Sequence, residues 1–182
     1  MSYSRLGFYS AKLRSKMFRK HEILVEFYRK GGAKIGKGCL ICSPIMTREP
    51  FLISIGDNTT VSTNVKFVTH DNSVKLVHPE KTDLFGKIVI GNNCFIGENS
   101  TILYGVEIPD NTIIAAGSVV TKSILQQYMI VGGNPARIIG SWDAYREKYE
   151  HNAIQRCELQ NKLKTEDTFL VKRPFMDEKK DS

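Results

Sequence analysis

The sequence predicts an all-β solenoid, a stack of three-sided coils with short helices at either end. Three observations predict it. Aliphatic residues recur every six positions from Ile90 through Ile96, Ile102, Ile108 and Ile114 to Val120, without a slip. The same spacing links Ile55, Val61 and Phe67, and again Ile35 and Ile41. Glycine and asparagine gather between these positions, at Gly36, Gly56, Asn58, Gly91, Asn93, Gly97, Asn99, Asn111 and Gly117.

A period of six fits neither the helical repeat of about 3.6 residues nor strand alternation, which would not single out every third inward position. It fits a chain that runs straight, turns, and runs straight again. Three such edges close a coil, and each edge sends one aliphatic side chain into a shared prism. Successive coils then stack at the strand spacing of about 4.8 Å, each pairing its backbone with the next. Glycine and asparagine suit the corners, where the backbone turns sharply.

The elements follow in chain order. Residues 1–32 read as a basic helical segment. Leu6, Leu13, Met17, Ile23, Leu24 and Phe27 have the spacing of one or two amphipathic helices broken near Lys20, and Gly31 and Gly32 close them. Residues 1–38 hold ten Lys/Arg against Glu22 and Glu26, a net +8, while the remaining 144 residues sum to −1. Such asymmetry suits either a solvated helix flank or a peripheral contact with an anionic membrane; a nucleic-acid partner is not expected. No stretch approaches about 18 consecutive apolar residues, and the N-terminus lacks the apolar core of a secretory signal. A cytoplasmic protein, with the option of membrane association, is the expectation.

Residues 33–140 carry the coil. Its cysteines, Cys39, Cys42 and Cys94, and Cys157 beyond it read as free thiols serving as small hydrophobes. Cys39-Leu-Ile-Cys42 has metal-ligand spacing but no second pair to complete a site, so no metal is expected. The hexad phase breaks twice. Ile41 to Ile55 spans fourteen residues, with a surplus of two around Met46-Thr-Arg-Glu-Pro50. Phe67 to Ile90 spans twenty-three, so residues 69–86 form an excursion from the prism. His70 stands at the root of that excursion, where the coil still orders the backbone. His21, His78 and His151 read as structural or surface residues. From residue 141 onward, Trp142, Tyr145, Tyr149 and Ile154 have helical spacing, followed by a charged tail.

The phrases ISIGDN, FVTHDN, IVIGNNCFIGENS, AGSVVTK and VGGNPARI together resemble the hexapeptide-repeat acyltransferases, in the branch of galactoside and maltose acetyltransferases. The resemblance covers residues 33–140. It implies a left-handed parallel β-helix, a homotrimer, and acetyl-CoA as cosubstrate lying in a groove between subunits. It implies that His70 is the catalytic base. It also places Ala115, Ala116 and Gly117 against the pantetheine arm, and Thr121, Lys122 and Arg137 near the nucleotide portion. Asp71 and Asn72 are candidates to touch the acceptor.

The chemistry asks for little more. A sugar hydroxyl is a poor nucleophile, and its proton must leave as the new C–O bond forms. A free imidazole, with a pKa of about 6.5, is mostly neutral at pH 7 and can accept that proton. The second ring nitrogen needs an acceptor to fix the tautomer. Asp71 and Asp57 both come into question, and adjacency disfavours Asp71 because neighbours on an extended chain face opposite ways. The expected function is O-acetylation of a sugar in bacterial capsule, exopolysaccharide or lipopolysaccharide synthesis. N-acetylation of a nucleotide-linked amino sugar would use the same base and cosubstrate. A carbonic-anhydrase-like zinc site would need closer histidines than His70 and His78, and a non-catalytic, membrane-recruited protein would need only the basic segment.

Overall fold

The computed structural model of the chain describes residues 5–18 and 22–173. His21, the helix break near Lys20 and the tail from 174 onward lie outside the described residues. The chain forms two compact units that divide between Ser141 and Trp142.

The first unit opens with helices α1 (Arg5–Phe18) and α2 (Glu22–Lys30). Short strands follow: β1 (Lys34–Ile35), β2 (Leu40–Ile41), β3 (Ile53–Ile55), β4 (Thr60–Val61), β5 (Lys66–Phe67), β6 (His70–Asp71), β7 (Leu84–Phe85), β8 (Ile88–Ile90), β9 (Phe95–Ile96), β10 (Thr101–Ile102), β11 (Glu107–Ile108), β12 (Ile113–Ile114) and β13 (Val119–Val120). Two longer strands, β14 (Met129–Gly133) and β15 (Ala136–Ser141), end the unit.

Strands β1, β3, β8 and β11 form one parallel sheet, β5, β10 and β13 a second, and β2, β4, β9, β12 and β14 a third. From β8 to β13 the chain visits the three sheets in fixed rotation, so every third strand pairs with its predecessor. The registers keep the hexad residues in line: Ile55 sits beside Ile90 and Ile90 beside Ile108, while Val61 meets Ile96 and Phe67 meets Ile102. The stack closes in the VGGNPARI stretch, where β14 pairs parallel with β12 and β15 folds back antiparallel on β14.

The hexad residues are the core. Ile90, Ile96, Ile102, Ile108, Ile114 and Val120 are all at most 2% exposed. A second inward position lies four residues after Ile35, Ile55, Ile90, Ile96, Ile108 and Ile114 and takes small side chains: Cys39, Thr59, Cys94, Ser100, Thr112 and Ser118 are buried there, with the larger Val106 after Ile102. The hydroxyls do not go unpaired. Thr59 Oγ1 donates to the Gly91 carbonyl at 2.8 Å, and Ser118 Oγ to the Ala115 carbonyl at 2.6 Å. Cys39 and Cys94 thus serve as the small hydrophobes expected, whereas Cys42 and Cys157 are exposed.

The corner residues divide into two kinds. Asn58, Asn64, Asn93, Asn99 and Asn111 take φ between 53° and 60°, and Gly117 takes 73°, the left-handed turn that asparagine and glycine tolerate best. Gly97 serves close approach instead. A Cβ there would lie 2.5 Å from the Ala116 nitrogen on the next coil.

Helices α1 and α2 pack together at the N-terminal end of the core. Val25 and Tyr28 of α2 are almost fully buried, and the Tyr28 hydroxyl donates to the Ser43 carbonyl at 3.2 Å. The second unit contains α3 (Trp142–Tyr149) and α4 (Leu159–Lys162), with Asn152 Nδ2 donating to the Phe169 carbonyl at 2.9 Å.

Candidate active site

The two phase breaks meet in space. At the second, the chain leaves β5 through Val68 and Thr69 into β6, which pairs antiparallel with β7 so that His70 faces Phe85 across the ladder. The excursion is therefore an arm rooted in a two-strand clamp, and its tip, including His78, is exposed. At the first break, the surplus residues bulge outward before a short helical turn at Pro50–Leu52. That bulge carries Glu49.

Glu49 Oε2 lies 2.9 Å from His70 Nδ1. The same oxygen accepts from Thr69 Oγ1 at 2.9 Å and from Thr47 Oγ1 at 3.0 Å. Thr69 is 1% exposed, and the Glu49 side chain is 16% exposed against 39% for the His70 ring. Burial pushes the Glu49 carboxyl up, but hydrogen bonds from Thr69, His70 and Thr47 outweigh it and hold the group below the ordinary glutamate value. Glu49 is therefore ionised at neutral pH, and an ionised carboxylate only accepts. The Nδ1–H of His70 must donate to it. The neutral ring then carries an unprotonated Nε2, the form that can take a proton from a hydroxyl. An open cleft of about 480 Å³ lies beside the ring, lined by Met46, Thr47, Arg48, Phe67, Val68, Thr69 and His70.

The acceptors considered from sequence point elsewhere. Asp57 Oδ1 accepts from the Lys37 N–H at 2.7 Å, at a different corner. Asp71 Oδ1 accepts from the Ser73 N–H at 2.8 Å, and its Oδ2 from the Tyr104 hydroxyl at 3.3 Å. Hydrogen bonding from Ser73, with a smaller part from Tyr104, holds the Asp71 carboxyl low. Asn72 is exposed at the start of the arm. Glu49 was missed because it lies outside the hexad phase. The signal that could have found it is the coincidence of an acid with the two-residue surplus.

The remaining predicted residues fall into two groups. Ala115, Ala116 and Gly117 form the corner between β12 and β13, where the Ala115 N–H donates to the Val131 carbonyl and the Gly117 N–H to the Glu98 carbonyl, both at 2.8 Å. Ala116 and Gly117 are exposed. Lys122 and Arg137 line one cavity of about 550 Å³ with Val120, Ser123, Ile124 and Ala136, near the end of the stack. Thr121 is exposed just before it. Sheet pairing places β5, β10 and β13 side by side, so the residues after them, His70 and Lys122 among them, leave along the same edge two coils apart. That separation is roughly 10 Å along the stack. Among the described residues no group of three or more His, Cys, Asp or Glu is placed to hold a metal ion.

Residues 87–122 match the family model described as the hexapeptide repeat of succinyl-transferase. The chain is 44% identical over 140 residues to protein CapG of Staphylococcus aureus, spanning 74% of this chain and 80% of that protein. It is 35% identical over 92 residues to galactoside O-acetyltransferase of Escherichia coli, half of this chain and 45% of that one. A solved galactoside acetyltransferase in complex with coenzyme A superposes with a TM-score of 0.56 at 23% identity, covering 82% of this chain and 88% of that chain. A hexapeptide-repeat acetyltransferase from Vibrio cholerae does so at 0.55 and 22% identity, covering 78% and 93%. The likeness to these two structures is one of fold, and it implies the left-handed sense of the coil. The chain, with its six-residue repeat, belongs to the hexapeptide-repeat acetyltransferase family, and its relatives make the molecule an acyltransferase.

Proposed function

We propose that the protein transfers an acetyl group from acetyl-CoA to a sugar hydroxyl, with His70 as general base, in the synthesis of a bacterial surface polysaccharide. The observation that carries this reading is the Glu49–His70 pair, which fixes a proton-accepting Nε2 beside an open cleft. Membership of the acetyltransferase family supports acetyl-CoA as donor, and the galactoside O-acetyltransferase relative supports a sugar acceptor.

The chemistry supplied by acetyl-CoA is an acetyl group already activated as a thioester. His70 Nε2 takes the proton of the acceptor hydroxyl as the oxygen bonds to the acetyl carbon. Glu49 stabilises the imidazolium that results, and the two threonines keep the carboxylate in place. The proton leaves His70 with the departing thiolate, so the products are the acetyl ester and free coenzyme A. The corner at Ala115, Ala116 and Gly117 offers exposed, small-residue backbone to the pantetheine arm. Lys122 and Arg137 offer charge to its phosphates, with Thr121 beside them. Asp71 and Asn72, at the base of the arm, are the candidates to touch the acceptor. Residues 33–140 form the catalytic coil of a homotrimer, in which exposed Phe51 and Phe95 are available to a neighbouring copy.

The test is thiol release from acetyl-CoA against a panel of sugars, glycans and nucleotide-linked amino sugars. The expected result is turnover with a hydroxyl acceptor and a loss of roughly 10²–10⁴-fold in His70→Ala, with the oligomer intact. Full activity in that variant would remove His70 from the mechanism, and turnover only with amino sugars would replace O- by N-acetylation.

A further inference from the structure

Helix α1 carries apolar residues on two opposite faces. Phe8, Ala11 and Ser15 are buried, whereas Leu6, Tyr9 and Leu13 are 84%, 64% and 67% exposed. At about 100° per residue, each set forms a single stripe, and the two stripes lie roughly half a revolution apart. The buried stripe anchors the helix: the Phe8 ring lies 6.4 Å from that of Phe27 and 6.5 Å from that of Tyr28. The exposed stripe therefore faces away from the core.

Charge says what this face meets. The helix sequence RLGFYSAKLRSKMF contains basic residues at four positions and no acid. Lys12 and Arg14 are exposed and fall on either side of the apolar stripe. A second copy of α1 would bring like charges against like, and the rest of the chain outside residues 1–38 is close to neutral. An anionic lipid surface supplies both missing complements, phosphate for the cations and an acyl boundary for the leucines and tyrosine.

We propose that the outward face of α1 docks the protein on an anionic bilayer, with Leu6, Tyr9 and Leu13 entering the interface and Lys12 and Arg14 meeting lipid phosphates. The surface belongs to a different element from His70, so docking and catalysis are separately measurable.

The full-length protein is sedimented with vesicles of phosphatidylglycerol and phosphatidylcholine, and with vesicles of phosphatidylcholine alone. Binding is expected to the first and not the second, and to weaken as salt shortens the reach of the charges. The variants Leu6→Ser/Tyr9→Ser/Leu13→Ser and Lys12→Glu/Arg14→Glu are each expected to lower vesicle partitioning about tenfold or more. Melting temperature and acetyl transfer to a soluble acceptor stay unchanged in both. Equal binding to uncharged vesicles, or no binding to either, would overturn the proposal. So would an apolar-stripe variant that loses oligomer mass in light scattering while binding vesicles like the parent, because the stripe would then join copies of this chain.

Discussion

His70 Nδ1 lies 2.9 Å from Glu49 Oε2 across twenty-one residues of sequence, and the carboxylate that receives it is held by two threonine hydroxyls. The contact joins the two places where the hexad phase breaks. A regular coil builds the frame, and the departures from regularity meet to orient the ring.

Replacing Glu49 separates charge from shape. Glu49→Gln keeps an oxygen that can accept from Nδ1–H but loses the negative charge that stabilises imidazolium, so kcat should fall roughly 10²-fold or more. Glu49→Leu removes the acceptor altogether, frees the tautomer and should approach the loss of His70→Ala. In both, the KM for acetyl-CoA should hold within about twofold, since the carboxylate is placed to act on the ring and not on the donor. Steady-state kinetics on the three variants checks the order, and parental kcat in Glu49→Leu would exclude the dyad.

Thr69→Val tests the support of that carboxylate through pH. The hydroxyl is buried and donates to Glu49 at 2.9 Å, so its removal should cost about 1–3 kcal/mol at neutral pH. Glu49 has a folded pKa below its ordinary value, so its contribution to stability is present above the unfolded pKa and is lost as pH falls through the folded pKa. The valine variant raises the folded pKa and shrinks that contribution. The stability gap between parent and variant should therefore narrow as the pH is lowered below the ordinary glutamate range. Urea melts at neutral and acid pH measure it, and a gap that widens in acid would contradict the assignment.

Most of the coil was legible because its physics is local and repeated. Ile90, Ile96 and Ile102 must each point inward, and no other period explains them. The second inward position was less visible, since Thr59, Cys94 and Ser118 share size but not polarity. The corners were legible as Asn and Gly, yet the sequence does not distinguish Asn93, which needs the left-handed turn, from Gly97, which needs an absent side chain. Glu49 escaped for a stronger reason. Its partner lies across a coil, and the bulge carrying it obeys no period, so only the three-dimensional path of both breaks brings the pair together. The terminal hairpin, in which β15 reverses on β14, lies beyond Val120, where the hexad phase no longer continues.

Gly97 and Gly105 should respond oppositely to a side chain. A Cβ on Gly97 would press on backbone, 2.5 Å from the Ala116 nitrogen and 2.7 Å from the Ala115 carbonyl carbon. Gly97→Ala should therefore cost about 1–3 kcal/mol and raise the KM for acetyl-CoA, because the displaced corner is the one proposed to receive it. Gly105 has φ +77° and nothing within 4 Å of a Cβ. Gly105→Asn places there the residue that fills the equivalent turn at Asn93 and Asn99, and its stability should stay within about 0.5 kcal/mol of the parent. Thermal melts of the two variants, with donor KM for each, decide between close approach and turn geometry.

Lys122, in the connection after β13, and Arg137, on β15, line one cavity near the end of the stack. If both meet donor phosphates, removing either deletes a charge-assisted contact made equally in the ground and transition states. Such a loss raises KM without lowering kcat. Lys122→Ala and Arg137→Ala should each raise the KM for acetyl-CoA about tenfold, the double variant should raise it further, and acceptor KM should not move. Added salt should weaken donor binding in the parent more than in the double variant, since the parent alone retains the charges to be screened. Unchanged donor KM in the double variant would move the phosphate site away from this cavity while leaving the Glu49–His70 pair untouched.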